Sequence, residues 1–171
     1  MIHTAAVHDP HSSGERAPAA HRSDRPVWVL DTNVVLDWLI FDDPETRAIR
    51  REIESERACV VTREDCRAEL LRILGRPKLR ATAQQRSSAL LQYDHFVEPL
   101  SARPLSRALP QCRDHDDQKF LELADQSGAQ WLISKDKLVL KLAAQTVRLG
   151  LFRILHPREA SAVLLGDSAK T

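Results

Sequence analysis

The sequence predicts an α/β fold in which helices cover both faces of a central parallel sheet. Short apolar segments without polar interruption alternate along the chain with longer segments whose apolar residues recur at helical spacing. Unbroken apolarity is typical of strands that are buried on both faces. Regular alternation of such strands with helices favours parallel pairing, because each crossover helix packs back onto the sheet.

Composition excludes several classes of protein. The chain has 171 residues, enough for one domain with a buried core, and its formal net charge of +1 points to no class of partner. The 5 glycines are too widely spaced for a P-loop or a dinucleotide-binding turn. The 3 cysteines include no C-x-x-C pair, which argues for a reducing, cytoplasmic compartment. No apolar run reaches membrane-spanning length, so no membrane association is predicted.

Residues 1–25 are predicted to be a disordered tail and residues 26–171 a folded domain. The tail has few large apolar residues and carries 4 of the 7 histidines. Such a segment cannot offset the entropy of ordering by burying apolar surface. The histidines could bind stray metal, but a solvated tail is the preferred interpretation.

The first predicted strand is residues 27–30, the apolar run VWVL, which ends at Asp31. A short helix over 33–41 follows, and a second helix over 44–56 begins with a proline, which its first turn tolerates. Residues 58–61 form the second strand.

The middle of the chain continues with a helix over 63–74, closed by Gly-Arg-Pro, and a longer helix from 82 to 93 or beyond. Residues 95–100 are a weak third strand, because Pro99 cannot donate to a sheet ladder.

The remaining elements repeat the alternation. Helix 116–127 has a glycine past its end, and QWLIS at 130–134 is the fourth strand. Helix 138–149 is closed by another glycine, strand 151–155 follows, and Pro157 begins the last helix.

Four acids fall where a parallel sheet places its reactive crevice, at the carboxyl ends of the strands. Asp31 directly follows the first strand, and Asp136 follows the fourth by two residues. Glu69 lies in the apolar stripe of its helix, and Asp117 extends the stripe that includes Phe120. We therefore expect these side chains to converge.

Converging carboxylates repel one another unless a cation neutralises them. Hard oxygen donors without convergent Cys or His favour Mg²⁺ or Mn²⁺ over zinc. Such an ion can activate water and bind a phosphate oxygen, which predicts phosphodiester hydrolysis. Asp114 is a second candidate ligand beside Asp117.

Each acid also has a structural interpretation. Asp31 could cap the following helix, and Asp117 could stabilise a helix through the favourable interaction of its charge with the N-terminal end of the helix dipole. Glu69 could pair with Arg72, and Asp136 could be a loop acid beside lysines. Their joint placement at one edge of the sheet favours the metal site. Three other acids are interpreted as a solvated helix edge and loop: Asp37, Asp42 and Asp43.

Several segments resemble PIN-domain nucleases. DTNVV at 31–35, after an apolar strand, resembles the opening motif of that family. CRDHDDQKFLELA at 112–124 resembles the signature of a bacterial branch described as toxin components of toxin–antitoxin systems. The further similar segments are 69–79, 129–136 and 152–157. The resemblance covers about residues 27–165.

The resemblance implies a three-layer fold with sheet order 3-2-1-4-5 and Mg²⁺- or Mn²⁺-dependent endoribonuclease activity on single-stranded or structured RNA. It also implies a cognate antitoxin and a homodimer. The implied catalytic and metal-binding acids are Asp31, Glu69, Asp117 and Asp136. The implied polar residues that orient carboxylates or water are Asn33 and Ser134.

RNA binding by a nearly neutral chain requires local positive charge. Residues 63–80 carry six basic and three acidic side chains, and residues 101–113 carry three arginines and no acid. A solvated surface is the alternative interpretation. The candidate RNA contacts are Arg76, Lys78, Arg80, Arg113 and Lys135.

Two positions depart from the family pattern. Lys135 stands where members usually carry Gly, and Leu138 where they often carry Asp. These departures favour the alternative of a catalytically weak PIN-like module that binds RNA or protein. A second alternative makes Asp31 the nucleophile of an aspartyl-phosphate enzyme, but that chemistry requires Asp at the position of Asn33.

Overall fold

A five-stranded parallel sheet forms the centre of the structure, a computed structural model that describes residues 25–105 and 107–168. Its order is β3-β2-β1-β4-β5, which confirms the predicted α/β class and the order 3-2-1-4-5. The predicted tail lies outside the described residues except for Arg25. The strands are β1 (Val27–Leu30), β2 (Cys59–Thr62), β3 (Val97–Pro99), β4 (Trp131–Ile133) and β5 (Arg153–Leu155).

Helices cover both faces of the sheet. They are α1 (Thr32–Leu36), α2 (Arg47–Glu54), α3 (Glu64–Leu74), α4 (Ala83–Phe96), α5 (Gln118–Ser127), α6 (Lys137–Leu140), α7 (Ala143–Arg148) and α8 (Pro157–Ser168). A π-helical turn spans Asp37–Phe41, and 3₁₀ turns span Pro44–Thr46 and His115–Asp117. None of the helices in the described part of the chain has both the length and the apolarity needed to cross a bilayer.

Register between the central strands is marked by two buried tryptophans. Trp28 of β1 lies opposite Trp131 of β4, and their rings stack with centroids 4.9 Å apart and planes 6° apart. The neighbouring Val29 and Leu132 belong to the core on the opposite face, as strand alternation requires. The two cores, one on each face, fix the strands, so the residues that follow β1 and β4 emerge side by side.

The helix boundaries follow local signals in most places. Thr82 and Gln85 form a capping box at the start of α4, and Gly128 ends α5 with a φ of 64°. α4 continues through Phe96, whose ring packs against Trp38, so the third strand is shorter than predicted.

The single helix predicted over 138–149 is wrong, because two short helices, α6 and α7, occupy this segment. The Leu142 N–H donates to the Val139 carbonyl, three residues back, and this tighter turn interrupts the α-helical ladder. The break contains neither Gly nor Pro, so apolar spacing alone does not locate it.

We predict that Gly128→Ala lowers the free energy of unfolding by about 1 kcal/mol, measured by urea denaturation, because an L-residue is strained at positive φ. A Cβ at Gly128 meets no atom within 4 Å, so the cost is backbone strain alone. Gly166→Ala is the matched control. Gly166 lies in α8, and a Cβ there also meets no atom within 4 Å, so this substitution should raise the free energy of unfolding by roughly 0.5 kcal/mol. Equal effects of the two changes would contradict the strain argument.

Candidate active site at the carboxyl edge of the sheet

Asp31, Ser134 and Asp136 meet where β1 and β4 end. The Asp31 N–H donates to the Ile133 carbonyl at 2.9 Å, which extends the strand pairing to the acid itself. The Ser134 hydroxyl, 0% exposed, donates to Asp31 Oδ2 at 2.6 Å and accepts from the Asp136 N–H at 3.0 Å. One buried hydroxyl therefore fixes the carboxylate of Asp31 and the backbone of the loop that carries Asp136.

Both aspartates also cap helices, which was anticipated for Asp31 but not for Asp136, interpreted from the sequence as a loop acid. Asp31 Oδ1 accepts from the Asn33 N–H, and Asp136 Oδ1 accepts from the Leu138 and Val139 N–H groups. Capping and a role in the site are compatible, because each cap uses only one of two carboxylate oxygens. The Asn33 side chain itself is exposed, so its contact with Asp31 comes from the backbone.

The electrostatics of Asp31 and Asp117 show that the acids lie near one another. Burial raises the pKa of Asp31, which is 2% exposed; the hydrogen bonds from Ser134 and the Asn33 N–H partly offset this, and the nearby charges of Glu69 and Asp136 add to the rise. Burial also raises the pKa of half-buried Asp117 to about 7, with added repulsion from Asp31, Asp136, Asp114 and Glu69. The structure thus brings the predicted acids into one electrostatically coupled group.

Glu69 has a partner that the sequence did not reveal. Its Oε2 accepts from the Lys119 ammonium, which links α3 to the first turn of α5. The alternative pairing with Arg72 is not formed, because the Glu69 carboxylate pairs with Lys119 instead. One signal in the sequence was available: Lys119 lies two residues after Asp117, in a helix N-terminal turn that normally disfavours a cation.

The profile of the PIN domain family matches residues 27–138. The chain belongs to this family. All four predicted acids lie within the matched segment, and Asp31 and Asp136 lie close to its two ends. PIN domains are in general nucleases, which are hydrolases, and generally use divalent metal ions.

One similar solved chain comes from the crystal structure of VapBC2 from Rickettsia felis bound to a DNA fragment from their promoter. The TM-score is 0.51 at 12% identity, over 76% of this chain and 98% of that chain. At this identity the likeness shows the fold alone. No match to a curated protein was found.

The donor set of this PIN domain fits a hard divalent cation. Carboxylate oxygens suit Mg²⁺ and Mn²⁺. Burial first, and neighbouring acids second, raise the pKa values of Asp31 and Asp117, so a bound cation would favour their ionised forms. Within residues 25–105 and 107–168, no three His, Cys, Asp or Glu side chains form a group that could hold a metal ion. Mg²⁺ commonly keeps several waters and takes only one or two protein carboxylates, so its binding does not require three of these side chains to contact the ion.

Lys135 is tied to acids outside the predicted site. Its Nζ donates to Asp37 Oδ2 at 2.8 Å and to Asp43 Oδ2 at 3.1 Å. The predicted solvated position of Asp37 is wrong: it begins the π-helical turn and is 9% exposed, whereas Asp42 is exposed as expected. Lys135 therefore joins the loop between β4 and α6 to the segment that follows α1.

The remaining candidates lie at the surface. Asp114 is exposed and caps the turn His115–Asp117 through the Asp116 N–H. Arg113 and Leu138 line, with Asp114, an open cleft of about 500 Å³ beside the acids. Three candidate RNA contacts are exposed between α3 and α4: Arg76, Lys78 and Arg80.

We predict that Lys135→Met lowers the free energy of unfolding by about 1–3 kcal/mol, because it leaves the Asp37 carboxylate largely buried without its donor. Urea denaturation measures the change. The double variant Lys135→Met/Asp37→Asn, which removes both charges, should recover most of the loss. A double variant no more stable than Lys135→Met alone would show that this pair does not set the cost.

Proposed function

We propose that the protein is a Mg²⁺- or Mn²⁺-dependent endoribonuclease and the toxin of a type II toxin–antitoxin pair. One observation carries the proposal: the Asp31 carboxylate is 2% exposed, is fixed by the Ser134 hydroxyl and lies close to the Glu69 and Asp136 carboxylates. A buried negative group without a compensating cation is costly, and the PIN domain to which it belongs is generally a nuclease.

In this proposal the residues of the site would bind the cation and orient its ligands. Asp31, Glu69, Asp117 and Asp136 would hold the cation, directly or through waters. Bound there, the cation would supply positive charge that activates water and stabilises the leaving oxygen. Ser134 would keep the Asp31 carboxylate in one orientation by its hydrogen bond. Hydrolysis would break the P–O3′ bond and leave a 5′-phosphate and a 3′-hydroxyl.

RNA would approach across the exposed basic residues. Arg113 borders the cleft beside the acids, and the loop between α3 and α4 presents further cations to solvent. Lys135 is left out of the proposed RNA contacts, because its ammonium is already paired with Asp37 and Asp43.

A cognate antitoxin and a homodimer complete the proposal. Support comes from the resemblance of residues 112–124 to the toxin branch and from the fold shared with a chain of VapBC2. We also place the protein in the cytoplasm. Its cysteines, Cys59, Cys66 and Cys112, are buried and are not joined by a disulfide, which suits a reducing compartment.

A catalytically weak module that binds RNA or protein is the second candidate function. Leu138, an apolar residue where relatives often carry Asp, lines the cleft beside Arg113 and Asp114. Fewer oxygen ligands at that point would weaken metal binding. This candidate predicts RNA binding without cleavage.

We predict that Asp31→Asn reduces RNA cleavage roughly a thousandfold, since several kcal/mol of metal-supplied stabilisation would be lost. Cleavage is measured with purified protein, RNA and MnCl₂ or MgCl₂, and product ends are mapped. Asp42→Asn makes the same change at an exposed acid outside the site and should cleave like wild type.

Asp31→Asn should also fold at least as stably as wild type without metal, because it removes a buried charge. Cleavage that survives both Asp31→Asn and EDTA would reject the assignment. RNA binding by a wild-type protein that never cleaves would favour the second candidate function.

We predict that reversing Arg76, Lys78 and Arg80 to Glu weakens RNA binding and lowers the salt dependence of the dissociation constant, because fewer phosphates would be neutralised. Fluorescence anisotropy at several KCl concentrations measures both quantities. An unchanged salt slope would remove this loop from the RNA interface. A control with the same change in net charge reverses three exposed arginines elsewhere: Arg51, Arg148 and Arg153.

A further inference from the structure

Lys119 is close to the proposed active site, yet the proposed function assigns it no role. Its Nζ contacts Glu69 Oε2, and the two side chains are only 17% and 12% exposed. A pair with so little solvent contact is weakly screened, so each charge strongly affects the other. The Nζ also lies 5.3 Å from the centre of the Phe120 ring, whose face favours a cation.

Local helix energetics do not account for this lysine. Lys119 is the second residue of α5, where the positive end of the helix dipole disfavours a cation. Among residues 25–105 and 107–168, it is the one cation in an ion pair with Asp31, Glu69, Asp117 or Asp136. The acids therefore explain its position better than the helix does.

We infer that Lys119 is a built-in counter-cation that holds Glu69 in the metal-free protein and competes with a divalent cation for that carboxylate. The inference rests on the proposed function, because it takes Glu69 as one of the residues that would hold the ion. An ammonium beside Glu69 repels a second cation and occupies one carboxylate oxygen. Lys119 is thus a positioning residue that sets the metal concentration at which the site fills.

The test is a titration of the purified full-length protein with MnCl₂ in the absence of RNA. The signal of free Mn²⁺ in electron paramagnetic resonance gives the dissociation constant. Lys119→Gln should bind Mn²⁺ about tenfold more tightly than wild type at low ionic strength, since the repelling charge is gone. Lys119→Met, which keeps the apolar stem, is titrated in parallel so that a folding defect in one variant does not decide the result.

Lys137→Gln is the matched control. It removes the same charge from an exposed side chain adjacent in sequence to Asp136, so it should change the affinity by less than about threefold. Lys119→Arg keeps the charge and should stay within about twofold of wild type. In a Glu69→Gln background, Lys119→Gln should give little further gain in Mn²⁺ affinity, because the carboxylate for which lysine and metal compete is absent.

The outcomes separate this inference from the proposed function. Equal or weaker Mn²⁺ binding by Lys119→Gln and Lys119→Met overturns the competition and leaves a metal-dependent nuclease standing. Equal gains from Lys119→Gln and Lys137→Gln also overturn it, since net charge alone would then explain the effect. Absence of Mn²⁺ binding in wild type and every variant overturns the inference and the metal dependence together. Tighter binding specific to position 119 supports it.

Discussion

Pairing between β1 and β4 is the constraint on which the site depends, because it joins residues that are far apart in the chain. Asp31 and Ser134 are 103 positions apart, yet the parallel register places the serine hydroxyl 2.6 Å from the carboxylate. The strands themselves are short and fully apolar, so their position comes from the two cores that they separate. The polar site is thus held by apolar packing behind it, and its own charges work against its assembly.

Prediction succeeded where a local pattern decides the outcome. The unbroken apolar run before Asp31 identified a buried strand, and strand-helix alternation identified the parallel sheet. Helical phase suggested that Glu69 and Asp117 face the other acids; both lie near Asp31, although Asp117 ends a 3₁₀ turn and precedes α5. The strand and the helical phases depend on residues within about two helical turns of one another, the range over which periodicity carries information, whereas the sheet follows from the order of elements along the chain.

What the sequence did not reveal are contacts between elements. The partners of Lys119 and Lys135 lie 50 and 98 positions away in the chain, and charge alone does not choose among many acids. Asp37 was misplaced because a π-helical turn changes the direction in which its side chain leaves the helix, and no residue pattern marks that turn. The two lysines have different roles. Lys119 pairs with an acid of the candidate site, whereas Lys135 joins the loop after β4 to the segment after α1.

The stacked tryptophans add an optical property to this fold. Trp28 and Trp131 come from different strands. Their indole rings lie parallel and stacked only when β1 and β4 are paired. Both indoles are largely shielded from water, so separating the two strands would expose them and change their fluorescence. The same strand pairing that assembles Asp31 and Ser134 thus carries an intrinsic chromophore, which reports the integrity of the site without any label.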